Sequence, residues 1–127
     1  MRSLNVLVVD DSHLTTKKIA QMLTEMGHNM VAFAKTGEEA IKQFSKYKPD
    51  MVTMDITMPD MDGIEATKRI LQDYPNALIM MVTSHGQESM VLDSIEAGAK
   101  GYLLKPLRGD KLKANIEEIY EKYGDET

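Results

Sequence analysis

The 127-residue sequence contains no cysteine, which excludes both a disulfide framework and a metal site built from thiolates. It also lacks a basic cluster, because its 15 lysines and arginines are spread among 20 acidic residues, with a net charge of −5. Its longest apolar run, Ala77 to Val82, is far shorter than the roughly 20 residues that cross a bilayer. We therefore expect a cytoplasmic protein that binds neither nucleic acid nor membranes.

The length of the chain leaves room for one compact domain. With 43% hydrophobic residues, that domain can bury a substantial core. Internal repeats and low-complexity segments are missing. Residues 1–127 are therefore expected to form a single domain without a DNA-binding or catalytic output domain.

Short apolar segments alternate with helical patterns along the whole sequence. The apolar segments predict five strands, at residues 4–9, 30–34, 51–54, 77–82 and 101–104. After each of them, apolar residues recur every three or four positions, as is typical of an amphipathic helix. The sequence therefore predicts five strand and helix pairs.

Capping and breaking residues mark where the predicted helices begin and end. Thr36 and Glu39 form a capping box at the start of the second helix, and Asp62-Gly63 opens the third. Gly27, Pro49, Pro75 and Gly98 end the first four helices. The final helix is marked by four apolar positions, Leu112, Ile116, Ile119 and Tyr123.

The predicted strands are apolar throughout, which is typical of a parallel sheet covered by helices on both faces. Together with the strict alternation of elements, this predicts an α/β, doubly wound fold. We expect the flavodoxin-like strand order 2-1-3-4-5, in which the second strand lies at an edge.

Polar residues follow four of the five predicted strands. They are Asp10 and Asp11, Asp55, Thr83 and Lys105. In doubly wound sheets, ligands bind beyond the carboxyl ends of the strands. We therefore expect these side chains to converge on one site.

The chemistry of this set points to phosphoryl transfer. Three crowded carboxylates repel one another, which raises their pKa values unless a cation lies among them. Mg²⁺ prefers such oxygen ligands, while Lys105 and Thr83 suit the oxygens of a transferring phosphoryl group. Asp55 would then be the nucleophile that forms an aspartyl phosphate.

Other functions on such a fold agree less well with these residues. A flavin or nucleotide site needs a glycine- or hydroxyl-rich first loop, for which Asp10-Asp11 has the wrong charge. A haloacid-dehalogenase-type phosphatase would need an aspartate where Thr57 stands. A purely structural or protein-binding domain would leave the carboxylates without a purpose. The three histidines lack metal-ligand spacing, and we expect them on the surface or in loops.

Four motifs occur in order along the chain: Asp10-Asp11, the stretch from Asp55 through Met58-Pro59 to Asp62-Gly63, Thr83-Ser84, and Gly101-Tyr102-Leu-Leu-Lys105-Pro106. In this combination the chain resembles the response-regulator receiver domains over its whole length. The resemblance is strongest to the free-standing chemotaxis regulators of that family.

The resemblance implies a role for each acidic residue. Asp55 would accept a phosphoryl group from the phosphohistidine of a histidine kinase. Asp11, Asp55 and the main-chain carbonyl of Thr57 would ligate Mg²⁺ directly, with Asp10 acting largely through water. The domain would be a signalling protein and not an enzyme, although it would promote its own Mg²⁺-dependent phosphorylation and dephosphorylation.

The resemblance also implies how the signal is transmitted. Thr83 would hydrogen-bond the phosphoryl group, Lys105 would pair with it, and Tyr102 would turn inward once Thr83 has moved. Lys105-Pro106 would be a cis peptide, which is inexpensive only before proline. The surface read by partners would be the fourth helix, fifth strand and fifth helix, roughly residues 87–123.

The partners implied are the kinase, a flagellar motor switch protein or adaptor, and a phosphatase. A single-domain phosphorelay intermediate, or another stand-alone regulator without a link to motility, stays open as an alternative. Two positions vary within the family, since Thr57 stands where chemotaxis regulators often have asparagine and His85 lies two residues after Thr83. Both would line the approach of water to the phosphoryl group, so the lifetime of the phosphorylated state is left open.

Overall fold

The computed structural model describes residues 1–124, in which strands and helices alternate along the chain. The strands are β1 (Asn5–Val9), β2 (Asn29–Ala34), β3 (Met51–Met54), β4 (Ile79–Thr83) and β5 (Gly101–Leu104). The helices are α1 (His13–Glu25), α2 (Gly37–Tyr47), α3 (Gly63–Asp73), α4 (Glu88–Ala97) and α5 (Gly109–Tyr123). The predicted elements and their order are confirmed. No helix in the described range is long and apolar enough to cross a membrane.

All five strands form one parallel sheet in the order β2-β1-β3-β4-β5. The predicted doubly wound, flavodoxin-like fold is therefore confirmed. Every residue of β3 and β4 is buried, whereas β2 and β5 are largely part-exposed. This difference follows from position, because β2 and β5 are the edge strands.

The sheet separates two hydrophobic cores. One contains Val9, Met54 and Met81 together with apolar residues of α2, α3 and α4. The other contains Val8 and Met80 together with apolar residues of α1 and α5. Successive strand residues alternate between the two cores because side chains alternate across a strand. The carboxyl ends of the central strands are consequently held from both faces.

β4 differs from its predicted range by beginning at Ile79 instead of Ala77 and by including Thr83. Ala77 belongs to a turn, since its amide donates to the carbonyl oxygen of Tyr74 at 3.0 Å. An apolar run by itself does not distinguish a turn residue from the first residue of a strand.

The final helix is confirmed and ends at Tyr123, but the four positions that mark it are not equally buried. Tyr120 is buried in the core, whereas Tyr123 is 51% exposed, with Lys100 Nζ 4.8 Å from its ring centroid. Tyr120 is the last residue of α5 that contributes to the core, and Tyr123 lies beyond it as the last residue of the helix.

The capping box of α2 is formed only in part. Thr36 Oγ1 accepts from the Glu39 amide at 3.1 Å, as predicted. The Glu39 carboxylate, however, accepts from the amide of Lys35 at 3.2 Å instead of that of Thr36. Thr36 therefore caps the helix, and Glu39 fixes the residue before the cap.

His28 lies in the loop between α1 and β2, in agreement with the prediction of surface or loop histidines, but it is buried there. Its Nδ1 accepts a hydrogen bond of 3.0 Å from the backbone amide of Leu4. Burial lowers the pKa of His28, and the charged amino terminus lowers it further. A neutral ring thus satisfies a backbone amide that directly precedes β1.

Thr53, in the middle of β3, is 1% exposed, and its hydroxyl has no hydrogen-bond partner among the described residues. A buried hydroxyl without a partner has lost its hydration without compensation. We expect Thr53→Val to raise the free energy of unfolding by about 1 kcal/mol, measured by urea denaturation.

Thr67→Val is the matched control for this substitution. Thr67 is also fully buried, but its hydroxyl donates to Met81 Sδ at 3.8 Å. The same change there is expected to be neutral or destabilising. An equal loss of stability in both variants would contradict the prediction.

Candidate functional site

Three aspartates lie together at the carboxyl ends of β1 and β3. Asp10 and Asp11 follow β1 directly, and Asp55 follows β3. One carboxylate oxygen of each lies within 4.8 Å of the others. Asp10 and Asp55 are 1% and 6% exposed, while Asp11 is exposed. The structure therefore brings together the three carboxylates that the sequence singled out, two of them out of water.

The parallel pairing of β1 with β3 causes this juxtaposition. Val9 and Met54 are partners in register, so the residues that follow them leave the sheet side by side. The Asp55 amide donates to the carbonyl of Val9 at 2.9 Å, and the Asp10 amide donates to that of Ala34 at 3.0 Å. The backbone of both aspartates is thereby fixed by the neighbouring strand.

Ser12 also contributes to the site, although it is not among the predicted site residues. Its amide donates to Asp10 Oδ1 at 2.8 Å, and its side chain accepts from the amide of Thr15 at 3.2 Å. Ser12 is therefore the N-cap of α1 and also orients Asp10. The capping role had a recognisable signal, a serine directly before a helix.

Lys105 is the cation of the site. Its Nζ lies 2.8 Å from Asp10 Oδ2 and 3.5 Å from Asp55 Oδ2. Its backbone amide donates to the carbonyl of Thr83 at 2.8 Å, which fixes it beside the end of β4. Burial would lower the pKa of Lys105, but Asp10 and Asp55 outweigh that effect and hold it above its usual value. The lysine is therefore charged.

The local charge remains negative, because one lysine faces three carboxylates. Burial raises the pKa of Asp55, the charge of Asp10 raises it further, and Lys105 offsets only part of this. The donor atoms that converge here are all oxygens, which hard divalent cations prefer. The site thus fits Mg²⁺ in both charge and ligand type.

The loop between β3 and α3 folds back against Asp55. A Cβ atom at Gly63 would overlap the carbonyl oxygen of Asp55, so this close approach requires glycine. The Gly63 amide also donates to the carbonyl of Ile56 at 2.7 Å. The intervening turn leaves Thr57 exposed at the rim of the site.

Thr57 and His85, the two positions noted as variable, contact each other. Thr57 Oγ1 lies 2.7 Å from His85 Nε2. The His85 amide donates to Thr83 Oγ1 at 3.2 Å, and its carbonyl accepts from the Tyr102 hydroxyl. His85 therefore connects three of the predicted site residues. Sequence patterns gave no signal for the contacts with Thr57 and Tyr102, because these residues lie 28 and 17 positions away along the chain.

The other predicted site residues are Thr83, Tyr102 and the Lys105–Pro106 peptide bond. Thr83 is completely buried as the last residue of β4. Tyr102 is half-buried and packs against the core on the side of α2, α3 and α4. The Lys105–Pro106 peptide bond is cis.

Comparisons with known proteins agree with this geometry. The chain matches the model of the response regulator receiver domain over residues 6–117. It is 44% identical over 113 residues to the chemotaxis protein CheY of Bacillus subtilis, which covers 89% of this chain and 94% of that protein. It is 38% identical over 114 residues to CheY of Thermotoga maritima, which covers 90% and 95%.

A solved structure gives the same relationship in three dimensions. A chain of the CheX–CheY–BeF3–Mg²⁺ complex from Borrelia burgdorferi superposes with a TM-score of 0.91 at 37% identity. The alignment covers 94% of this chain and 90% of that chain.

The crowded charges lead to a prediction about stability. At neutral pH the fold holds Asp55 ionised at a cost, because its pKa is raised relative to that in the unfolded chain. Asp55→Asn removes this charge and leaves the 2.8 Å bond between Lys105 and Asp10 in place. We expect the variant to be more stable by roughly 1 kcal/mol in urea denaturation near pH 7 with a chelator.

Asp73→Asn is the control, because Asp73 is an exposed aspartate at the end of α3. It should leave stability unchanged within about 0.5 kcal/mol. Both proteins are compared in the absence of metal. If the wild type is then as stable as the Asp55→Asn variant, charge crowding does not destabilise the site.

Proposed function

This chain belongs to the response regulator receiver domain family, and from that premise we propose that it is a phosphorylation-activated switch with Asp55 as the phosphoacceptor. One observation carries the proposal: Asp55 is a buried carboxylate of raised pKa that shares its site with two other carboxylates and a lysine. Such a carboxylate is a suitable nucleophile for a phosphoryl group whose charge is neutralised in place.

In the proposed reaction, an oxygen of Asp55 attacks the phosphorus of a phosphohistidine on a histidine kinase. The phosphorus–nitrogen bond breaks, and its electron pair remains on the imidazole nitrogen. Mg²⁺, when bound, stabilises the negative charge on the phosphoryl oxygens. The chain supplies the nucleophile and holds it in position.

The hydrogen bonds of the acidic residues suggest how they divide the work. Both oxygens of Asp10 have partners, since Oδ1 accepts from the Ser12 amide and Oδ2 from Lys105. These two bonds support a role for Asp10 through water. The resemblance to receiver domains implies that Asp11, Asp55 and the carbonyl of Thr57 would ligate Mg²⁺ directly, and we propose the same here. The Borrelia complex likewise contains Mg²⁺.

Switching is proposed to pass through Thr83, His85 and Tyr102. The Thr83 hydroxyl accepts from the His85 amide, which leaves its own hydrogen able to bond a phosphoryl oxygen. The His85 carbonyl holds the Tyr102 hydroxyl. A displacement of Thr83 toward a phosphoryl group would therefore be transmitted to Tyr102 by His85. Lys105 would pair with the charge of the phosphoryl group.

The output is proposed to be a docking surface on α4, β5 and α5. Large apolar side chains are exposed on all three elements: Leu92 and Ile95 on α4, Leu104 on β5 and Tyr123 on α5. Exposed apolar side chains on neighbouring elements favour protein binding. Tyr102 lies in β5, within this surface.

We propose a chemotaxis role in the cytoplasm, with a flagellar motor switch protein or adaptor as the partner. It is supported by 38–44% identity to CheY proteins of two bacteria. The Borrelia relative was solved with CheX, so a CheX-type protein is a further candidate partner. A phosphorelay intermediate that passes the phosphoryl group onward remains the second candidate.

The lifetime of the phosphorylated state is proposed to depend on Thr57 and His85. Their hydrogen bond lies at the exposed rim of the site, beside Asp55. Together they would cover the approach of water to the phosphoryl group. A phosphatase that acts on the phosphoryl group would have to displace Thr57 and His85 or bind to them.

We expect the protein to label itself with radioactive acetyl phosphate in the presence of Mg²⁺ at roughly millimolar concentration. Asp55→Asn should abolish labelling, because the amide is not a nucleophile. Removal of Mg²⁺ with a chelator should also reduce labelling of the wild type to background.

Asp73→Asn serves again as the matched control and should be labelled like the wild type. Labelling that persists in Asp55→Asn, or that proceeds fully without a divalent cation, would refute Asp55 as the acceptor in a metal-dependent reaction.

Lys105→Ala is expected to uncouple phosphorylation from partner binding. In wild type, phosphorylation should raise the affinity for the flagellar switch protein by about tenfold, a typical size for coupling between two sites. Without the lysine, the phosphoryl charge loses its cationic partner after the end of β5, so this rise should disappear while circular dichroism shows an intact fold.

Lys68→Ala, an exposed change on α3, is the control. Binding should be measured in parallel to a histidine phosphotransfer protein. Normal strengthening of partner binding in Lys105→Ala would remove Lys105 from the switch. Transfer of phosphate to the phosphotransfer protein, without binding to the switch protein, would favour the phosphorelay alternative.

A further inference from the structure

The loop that carries Thr57 is attached to the first turn of α2 by one carboxylate. Asp60 Oδ1 accepts from the Gly37 amide at 2.8 Å, and Asp60 Oδ2 accepts from the Glu38 amide at 2.9 Å. Amides in the first turn of a helix have no acceptor within the helix. One side chain therefore satisfies two of these donors across a gap of more than 20 residues in sequence.

A close packing contact accompanies these hydrogen bonds. A Cβ atom at Gly37 would overlap Cγ of Met61, the residue that follows Asp60. The loop thus lies directly on the backbone of the first residue of α2. Gly37 is buried as a result, although Asp60 itself is exposed.

Apart from Asp60, α2 has a cap of its own. Thr36 Oγ1 accepts from the Glu39 amide, and Glu38 and Glu39 place two acidic side chains in the first turn. These features satisfy the usual requirements of a helix start. The contribution of Asp60 is to fix the loop to the helix. The bonds from both amides accordingly lower the pKa of Asp60.

The same end of α2 is also connected to the acidic pair. The Asp10 amide donates to the carbonyl of Ala34, which lies two residues before the Thr36 cap. The start of α2 is therefore linked to Asp10 on one side and, through Asp60, to the loop of Thr57 on the other. These are the two parts of the chain that would supply the ligands of the proposed Mg²⁺ site.

We propose that Asp60 is a positioning residue that sets the distance between the Thr57 carbonyl and the aspartates, and thereby the affinity for Mg²⁺. This inference rests on the proposed function, since it assumes that Mg²⁺ binds at the aspartates. Asp60 does not contact the metal; it acts through the loop that supplies a ligand.

The test compares Mg²⁺ binding by isothermal titration calorimetry in the wild type, Asp60→Ala and Asp60→Asn. Asp60→Ala should weaken binding about three- to tenfold, less than the 10- to 100-fold typical of residues that bond directly to a metal ligand. Asp60→Asn should recover part of the loss, because its amide oxygen still accepts one hydrogen bond.

Two controls separate this role from general effects. Thr36→Ala removes a cap from the same helix without touching the loop, so it should lower stability but leave Mg²⁺ affinity unchanged. Glu38→Gln removes a negative charge at the same corner but keeps its backbone amide in place, so it measures the electrostatic contribution. An effect of Asp60→Ala no larger than either control would overturn the proposal.

Phosphorylation gives a second readout. At saturating Mg²⁺, Asp60→Ala should label from acetyl phosphate at nearly the wild-type rate, because only metal affinity is impaired. A rate that stays low at every Mg²⁺ concentration would show that the site itself is disrupted. If the wild type neither binds Mg²⁺ nor becomes labelled, the proposed function fails; if it does both and Asp60→Ala matches it, only the role of Asp60 fails.

Discussion

The organisation of this protein depends on negative charge held out of water at one edge of a parallel sheet. Asp10 and Asp55 are buried side by side, Asp11 lies next to them, and Lys105 is the cation that reaches them. A site that is left partly uncompensated in this way binds added positive charge readily, and the charge of an arriving phosphoryl group changes its balance again. The proposed binding of Mg²⁺ and of a phosphoryl group would therefore relieve or alter an electrostatic cost that the fold already carries.

The surroundings of the acidic cluster hold this arrangement without neutralising it. Ser12 orients Asp10, and Gly63 lets the following loop approach the backbone of Asp55. Asp60 ties that loop to α2. On the opposite side, His85 bonds Thr83, Thr57 and Tyr102 at once, so one short segment contacts the rim, the end of β4 and the edge strand. The hydrogen bonds around the aspartates and those around His85 thus form two separate groups, which agrees with the proposed division between a metal site and a switch.

Much of the architecture was predictable because it rests on local patterns. The number, order and type of elements and the strand order agree with the expectations, and capping residues placed several helix starts. The errors occurred where a local pattern was satisfied in more than one way. The run that begins at Ala77 includes a turn, and Tyr120 and Tyr123 lie on the same side of α5 although only Tyr120 reaches the core.

The sequence by itself determined which chemical groups are present and that they follow successive strands, since apolar runs ending in Asp10, Asp55 and Lys105 are read directly along the chain. A parallel sheet then requires those ends to share an edge. Only the tertiary structure decided which atoms bond. The contact of Thr57 with His85 and the bonds of Asp60 to α2 join residues more than 20 positions apart. Such bonds depend on loop conformation and helix placement to within about an ångström, and no periodicity or motif encodes that precision.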